Sequence, residues 1–306
     1  MVKLTALLVA TALASCSPAA HTNRPGAAPP REIPITLRGG VVMVPVQVGQ
    51  SRVLRVILDT GMSFDGVMLW QALPESSVAG PVYEVRIPGA GTGEPARGLM
   101  AESASFQAGP VKFEGQRLVW LVDSTMSGFP SDGVMGYSLF GHWVVEIDYD
   151  RSVIVLHDSG GFRPDRSWAE LPMELHKNKM PWLKLRASID GGESLELDAY
   201  IDLAANDEVV FLVSDSARLK LPEGLEELNI GRGLSGDIYG WKGRAAWLEL
   251  GPYRFRDVAV AWAPDAARSK QPGAEAVVCG SFLSRLNTVY DYAGQKLYIR
   301  PRKTGR

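Results

Sequence analysis

The chain carries one module written twice, and this repetition limits its fold more than any other feature. Ile33-Pro34 opens one half, and Leu171-Pro172 opens the other 138 positions later. Each pair leads into an extended apolar stretch, at residues 41–48 and 182–189. In the second stretch Leu183, Leu185, Ala187 and Ile189 alternate with Lys184, Arg186 and Ser188, the period-two pattern of a half-buried strand. Two further apolar runs, residues 53–59 and 195–202, each close on an aspartate, Asp59 and Asp202. Gly109-Pro110 is answered by Gly251-Pro252, Gly133-Val134-Met135-Gly136 by Val277-Val278-Cys279-Gly280, and Asp148-Tyr149 by Asp291-Tyr292. Landmarks in one order at offsets of 138 to 144 describe a duplicated unit. Two copies are too few for a solenoid, so they predict a pair of similar lobes. Helical patterning is confined to short pieces at 138–140 and 282–286. The expectation is a mainly antiparallel β protein with a join near residues 160–168.

Composition narrows the function classes. Of 306 residues, 46% are apolar and 22% charged, an ordinary globular balance. The net charge of −2 provides no basic face for a nucleic acid. Two cysteines, Cys16 and Cys279, cannot build a disulfide framework or a cysteine-based zinc site. His21, His142, His157 and His176 are scattered without metal-binding spacing, so no metal and no other cofactor is expected.

The first 15 residues read as an address. Lys3 precedes an apolar run from Leu4 to Ala14 that is shorter than the roughly 20 residues a spanning helix needs. The run ends in Leu13-Ala14-Ser15-Cys16, which resembles the bacterial lipobox, where cleavage falls before a cysteine that is then lipidated. Residues 16–31 hold Pro18, Pro25, Pro29 and Pro30 among small and polar residues, the composition of an extended tether. The expected organisation is a lipoprotein signal at 1–15, a tether at 16–31, one lobe at 32–160 and a second at 168–302. A lipid on Cys16 would place the protein in the bacterial cell envelope facing the periplasm. Because Ser17 is not aspartate, the outer membrane is favoured over the inner.

Asp59-Thr60-Gly61 follows Val56-Ile57-Leu58, and the apolar-apolar-glycine element Val134-Met135-Gly136 follows some 75 residues on. On these motifs, set in a duplicated chain, the sequence resembles the aspartic peptidases of the pepsin and retropepsin type. The resemblance covers both halves, about residues 32–302. It implies a two-lobed acid-protease fold and a catalytic pair, Asp59 and Asp202, with one carboxyl from each lobe. Two carboxyls about 3 Å apart cannot both ionise readily, so such a pair shares a proton and offers acid and base together. Thr60, Gly61 and Ser63 would support the first loop, the threonine by a hydrogen bond across the lobes. In the second copy Leu203 and Ala204 stand at these positions, a side chain without a hydroxyl and a residue with an added methyl.

The resemblance also implies a hairpin flap, for which residues 83–103 are the candidate. Its tip is Gly89-Ala90-Gly91-Thr92-Gly93, and Tyr83 is the candidate flap tyrosine. The expected partner is an extended peptide or protein substrate bound by a monomer. The alternative is a catalytically inactive relative, a periplasmic lipoprotein that binds peptide or protein, the reading that Leu203-Ala204 favours. Other signals carry blander readings. Gly231-Arg232-Gly233-Leu234-Ser235-Gly236 fits the dinucleotide fingerprint, but no helix pattern follows and a β-turn accounts for it. Asp148 and Asp150 read as solvated turn residues, and Cys279 as a small buried hydrophobe.

Overall fold

The computed structural model describes residues 31–73, 78, 80–214, 218–268 and 271–303. The signal-like segment, Cys16 and the tether as far as residue 30 lie outside the described residues.

The first half runs β1 (Arg31–Pro34), β2 (Thr36–Arg38), β3 (Val41–Val48), β4 (Leu54–Leu58), β5 (Gly66–Leu69), β6 (Val82–Ile87), β7 (Ala96–Ala108), β8 (Val111–Leu121), β9 (Gly133–Met135), α1 (Tyr137–Phe140), β10 (Val144–Asp148) and β11 (Val153–His157). The second runs β12 (Ala169–Pro172), β13 (Glu174–Leu175), β14 (Pro181–Ser188), β15 (Leu195–Asp202), β16 (Val209–Val213), β17 (Glu227–Gly233), β18 (Gly236–Leu250), β19 (Tyr253–Pro264), α2 (Asp265–Arg268), β20 (Ala276–Cys279), α3 (Gly280–Leu283), β21 (Leu286–Asp291) and β22 (Lys296–Pro301). The protein is mainly β.

The duplication reappears strand by strand. One eight-stranded sheet has the order β2-β3-β4-β9-β5-β8-β7-β6, and the other β13-β14-β15-β20-β16-β19-β18-β17. Each curls back on itself through one further pairing, β3 with β7 and β14 with β18. The parallel neighbours also correspond: β4 with β9 and β5 with β8, then β15 with β20 and β16 with β19. Strands paired on both sides and covered on both faces need continuous apolar runs, and Ala276-Val277-Val278-Cys279 is buried throughout. The long hairpin strands alternate instead, and β14 exposes Lys184 and Arg186 while burying Leu183, Leu185 and Ala187. Ser188 departs from that alternation; it is buried, and its Oγ accepts the Gly191 N–H at 3.1 Å. Gly109 and Gly251 take φ of +55° and +56° ahead of a proline, the positive-φ first position of a tight hairpin turn.

A third sheet joins the halves. Its order is β1-β11-β10-β21-β22-β12, three strands from each half, and the halves meet where β10 runs antiparallel to β21. Val145 faces Tyr290 and Ile147 faces Thr288 across that seam. Phe140 stacks on Tyr292 and meets Tyr290 edge-on, so α1 of one half packs on the last strands of the other. The connection between halves crosses the same sheet, with Phe162 and Trp168 packed on Val144, Val289 and Tyr298.

Two local expectations are corrected. The second short helix spans Gly280–Leu283, and Leu286 already belongs to β21, because residues 286–291 pair with β22 along their whole length. Asp148 and Asp150 are not solvated turn residues. Asp148 is 6% exposed and accepts the N–H groups of Asp150 and Arg151. Asp150 accepts hydrogen bonds from Asn287 Nδ2 at 2.8 Å and Arg302 Nε at 3.2 Å.

Asn287 is fully buried at this joint. Its Oδ1 accepts the Tyr149 N–H at 2.8 Å while its Nδ2 reaches Asp150, so one side chain ties the second half to the turn of the first. Asn287→Ala strands a buried N–H and removes a donor from a carboxylate. The expected cost is about 2–3 kcal/mol in urea unfolding, and a loss under about 0.5 kcal/mol would remove this residue from the joint.

Candidate active site

Each aspartate sits where a strand leaves its sheet. β4 runs parallel to β9, β9 runs antiparallel to β5, and the chain between β4 and β5 must loop over the end of β9. Asp59 is the first residue of that loop. Its N–H donates to Met135 O at 2.8 Å, and the Tyr137 N–H donates to Met62 O at 3.1 Å. Gly136 lies directly under the loop, where a Cβ would overlap the Asp59 carbonyl oxygen. That overlap explains the apolar-apolar-glycine element: two side chains fill the core, and the third residue must have none.

The second half repeats the device. β15 ends at Asp202 beside β20, and the Gly280 N–H donates to Ala205 O at 3.0 Å. A Cβ on Gly280 would stand 2.6 Å from the Leu203 carbonyl oxygen. Asp59 and Asp202 are both half-buried. Asp59 Oδ1 accepts the Gly61 N–H at 2.6 Å, and Asp202 Oδ1 accepts the N–H groups of Ala204 and Ala205 at 3.1 and 3.2 Å. The methyl of Ala204 therefore does not block the backbone cradle. It packs on the apolar cluster of the first half that also holds Met62.

Thr60 brings the two loops together. Its Oγ1 donates to Ile201 O at 2.7 Å and accepts the Leu203 N–H at 3.2 Å. Ile201 and Leu203 are the immediate neighbours of Asp202, so one buried hydroxyl holds Asp59 and Asp202 at one junction. Leu203 cannot return the bond from its side chain, but its N–H completes the half that Thr60 builds. Its side chain, 1% exposed, goes into the core instead. Ser63 is exposed, and Met62 beside it is buried. Tyr292 lies behind this junction. Burial pushes its phenol well above the usual value, with the Tyr290 phenol and the Asp59 charge adding to the effect.

The flap candidate is a hairpin, β6 paired antiparallel with β7. Tyr83 lies near its base, opposite Met100, and is 46% exposed. The tip residues Gly89, Gly91 and Gly93 make the contacts that matter. They meet the β17–β18 hairpin of the second half, which is the segment Gly231–Gly236 whose glycines had read as a plain turn. Sequence reasoning missed this partner, although Gly89 and Gly91 are each followed by a glycine 142 positions on, at Gly231 and Gly233.

Two further residues near the junction carried no signal in the sequence. Met180, between β13 and β14, would be 3.6 Å from a Cβ at Gly61. Lys179 takes φ of +64° and lays its Nζ 3.6 Å from the centre of the Tyr137 ring, across the halves. A non-glycine residue in that conformation carries strain that its surroundings must hold in place. Cys279 is fully buried.

Thr60→Val removes the hydroxyl and leaves the buried Leu203 N–H without its acceptor. The expected loss is about 1–3 kcal/mol of unfolding free energy, most of it restored in Thr60→Ser. Equal stability of Thr60→Val and the parent would show that the brace is not a stabilising contact.

No protein-family model matches the chain, and no curated protein matches it.

Proposed function

We propose that the protein is a bilobal aspartic endopeptidase of the pepsin and retropepsin type. The observation that carries this reading is the pair of strand-end aspartates, one from each copy of the duplicated sheet, whose loops share the Thr60 hydroxyl. The matching strand order of the two eight-stranded sheets supports the corresponding two-lobed fold. No cofactor enters this reading.

The chemistry follows from two carboxyls in one proton-sharing pair. A water held between Asp59 and Asp202 attacks the carbonyl carbon of a peptide bond. The ionised carboxyl takes a proton from that water as the other gives its proton to the carbonyl oxygen. The resulting diol collapses, the C–N bond breaks, and the nitrogen leaves with a proton from the pair. The backbone N–H groups of Gly61, Ala204 and Ala205 hold the carboxylates in place while protons move. The substrate is an extended peptide, which the hairpins can meet through its backbone.

Leu203 and Ala204 support a second reading, a binding protein that has kept the fold and lost hydrolysis, because the second aspartate loop lacks the hydroxyl that Thr60 supplies in the first. Peptide-library cleavage at acidic to neutral pH separates the two. Asp59→Asn and Asp202→Asn are each expected to lower kcat/KM by at least about 10³-fold, the scale of lost acid–base catalysis. Cleavage that survives Asp202→Asn defeats the intramolecular pair. Peptide binding without cleavage in the parent selects the second reading.

The same proposal places the protein in the bacterial envelope, lipidated on Cys16 and facing the periplasm, with the outer membrane favoured. Cys16→Ser is expected to move the protein from the membrane fraction to the soluble one. Retention in the membrane fraction would exclude Cys16 as the anchor.

A further inference from the structure

Each half lays the connection of a short hairpin against the other half, next to the aspartate loop. In the first half this is Gly39-Gly40, between β2 and β3, which lies on Gly280 and Ser281 at the start of α3. A Cβ on Gly40 would overlap Ser281 Oγ, and one on Gly280 would stand 3.3 Å from Gly40 O. In the second half it is Lys179-Met180, 140 positions on, between β13 and β14. Lys179 Nζ covers the Tyr137 ring, and Tyr137 follows Gly136 as Ser281 follows Gly280. Gly39 and Lys179 share the left-handed conformation, with φ of +57° and +64°. The exchange of connections belongs to the duplicated plan. The chemistry at its two ends differs, with a cation on a ring at one and a hydroxyl between carbonyls at the other.

That hydroxyl is Ser281. Its Oγ is 2.7 Å from Asn206 O and 3.2 Å from Gly39 O. A serine has one proton to give, so the shorter bond to Asn206 is the principal one and Gly39 shares it. Asn206 lies in the loop that carries Asp202, four residues on. The residue before Ser281 acts on the same stretch, because the Gly280 N–H donates to Ala205 O at 3.0 Å. Ala205 in turn gives its N–H to Asp202 Oδ1 at 3.2 Å. Two consecutive residues of α3 thus hold the far end of the loop, and that end carries one of the N–H groups that hold the carboxyl. Thr60 holds the near end, through Ile201 and Leu203.

We propose that Ser281 is a positioning residue for Asp202, fixing the far end of its loop against the Gly39-Gly40 connection of the first half. This role rests on the peptidase reading for its purpose and on the Ser281 contacts for its existence. Leu203 deprives the second loop of the hydroxyl that Thr60 gives the first, and Ser281 supplies one from outside the loop. Gly40 is part of the same device, since a side chain there would occupy the place of the hydroxyl.

Hydrogen–deuterium exchange on the full chain tests the contact without reference to hydrolysis. Ser281→Ala is expected to speed exchange of the Ala205 and Gly280 amides about 3- to 10-fold, the scale of one lost hydrogen bond. The Leu203 amide, held by Thr60, should keep its parent rate, which general destabilisation would not allow. Ser281→Thr keeps the hydroxyl and should exchange as the parent does. Gly40→Ala displaces the hydroxyl from the opposite side and should reproduce Ser281→Ala. Gly39→Ala, also at positive φ but with open space around the added Cβ, should leave both amides within about twofold of the parent. Parent exchange rates at Ala205 and Gly280 in Ser281→Ala and Gly40→Ala overturn the proposal. In cleavage assays Ser281→Ala should lower kcat about 3- to 10-fold and leave KM within about twofold, because the contact acts on the carboxyl and not on the peptide. Ser281→Thr should restore kcat. Faster exchange with an unchanged kcat makes Ser281 a structural contact only and overturns the positioning role. If exchange responds as expected and the parent cleaves nothing, the hold of Ser281 on the loop stands and the peptidase reading falls.

Discussion

A single buried hydroxyl decides where the two aspartates stand. Thr60 Oγ1 donates a hydrogen bond to Ile201 O and accepts one from the Leu203 N–H, and those two residues bracket Asp202. Nothing in one sheet alone can fix that geometry, because Asp59 and Asp202 belong to separate eight-stranded sheets. The central sheet brings the halves into register at β10 and β21, but strand pairing sets positions only at its own edge. At the loops the alignment depends on two side-chain bonds inside a protein interior, where an unmade bond costs more than a made one returns. That asymmetry makes one threonine sufficient. Its loss would leave a buried N–H and a buried carbonyl unpaired together.

The two halves have diverged within a common plan. In the first, Thr60 and Gly61 provide a hydroxyl and a bare backbone. In the second, Leu203 and Ala204 provide packing, with Leu203 in the main core and Ala204 against the cluster beside Met62. The cradle around each carboxylate survives because it is built from main-chain N–H groups, which substitution does not remove. The side chains of the second loop were therefore free to change in chemistry, provided that the backbone path stayed the same. Gly136 and Gly280 had no such freedom, since each sits against a carbonyl oxygen of its own aspartate loop.

Much of this was legible in the sequence because it depends on short-range rules. The ends of β3 and β15, the two aspartates and the glycines after β9 and β20 follow from alternation, strand termination and steric exclusion. The partner of the Thr60 hydroxyl was not legible in the same way. A search for a matching side chain stops at Leu203, whereas the acceptor and donor that matter are backbone groups that every residue carries. The hairpin tips failed for a related reason. Glycines in a row read as looseness, and only the facing chain reveals them as room for close approach. Asp148 and Asp150 looked like exposed turn residues because the residues that cover them, Asn287 and Arg302, come from the far end of the chain.

A duplicated fold supplies two equivalent hairpins, and here they meet tip to tip. Their contact is nevertheless unequal. Ser235 carries a side-chain acceptor and two main-chain bonds, while the opposing tip offers glycine backbone and one alanine. The same division appears below, where Thr60 reaches across and Leu203 answers with its main chain. In both layers one half provides a hydroxyl and the other provides backbone, with the roles exchanged: Thr60 from the first half below, Ser235 from the second half above. A pair of hydroxyls pointing in opposite directions ties each half to the other at two levels.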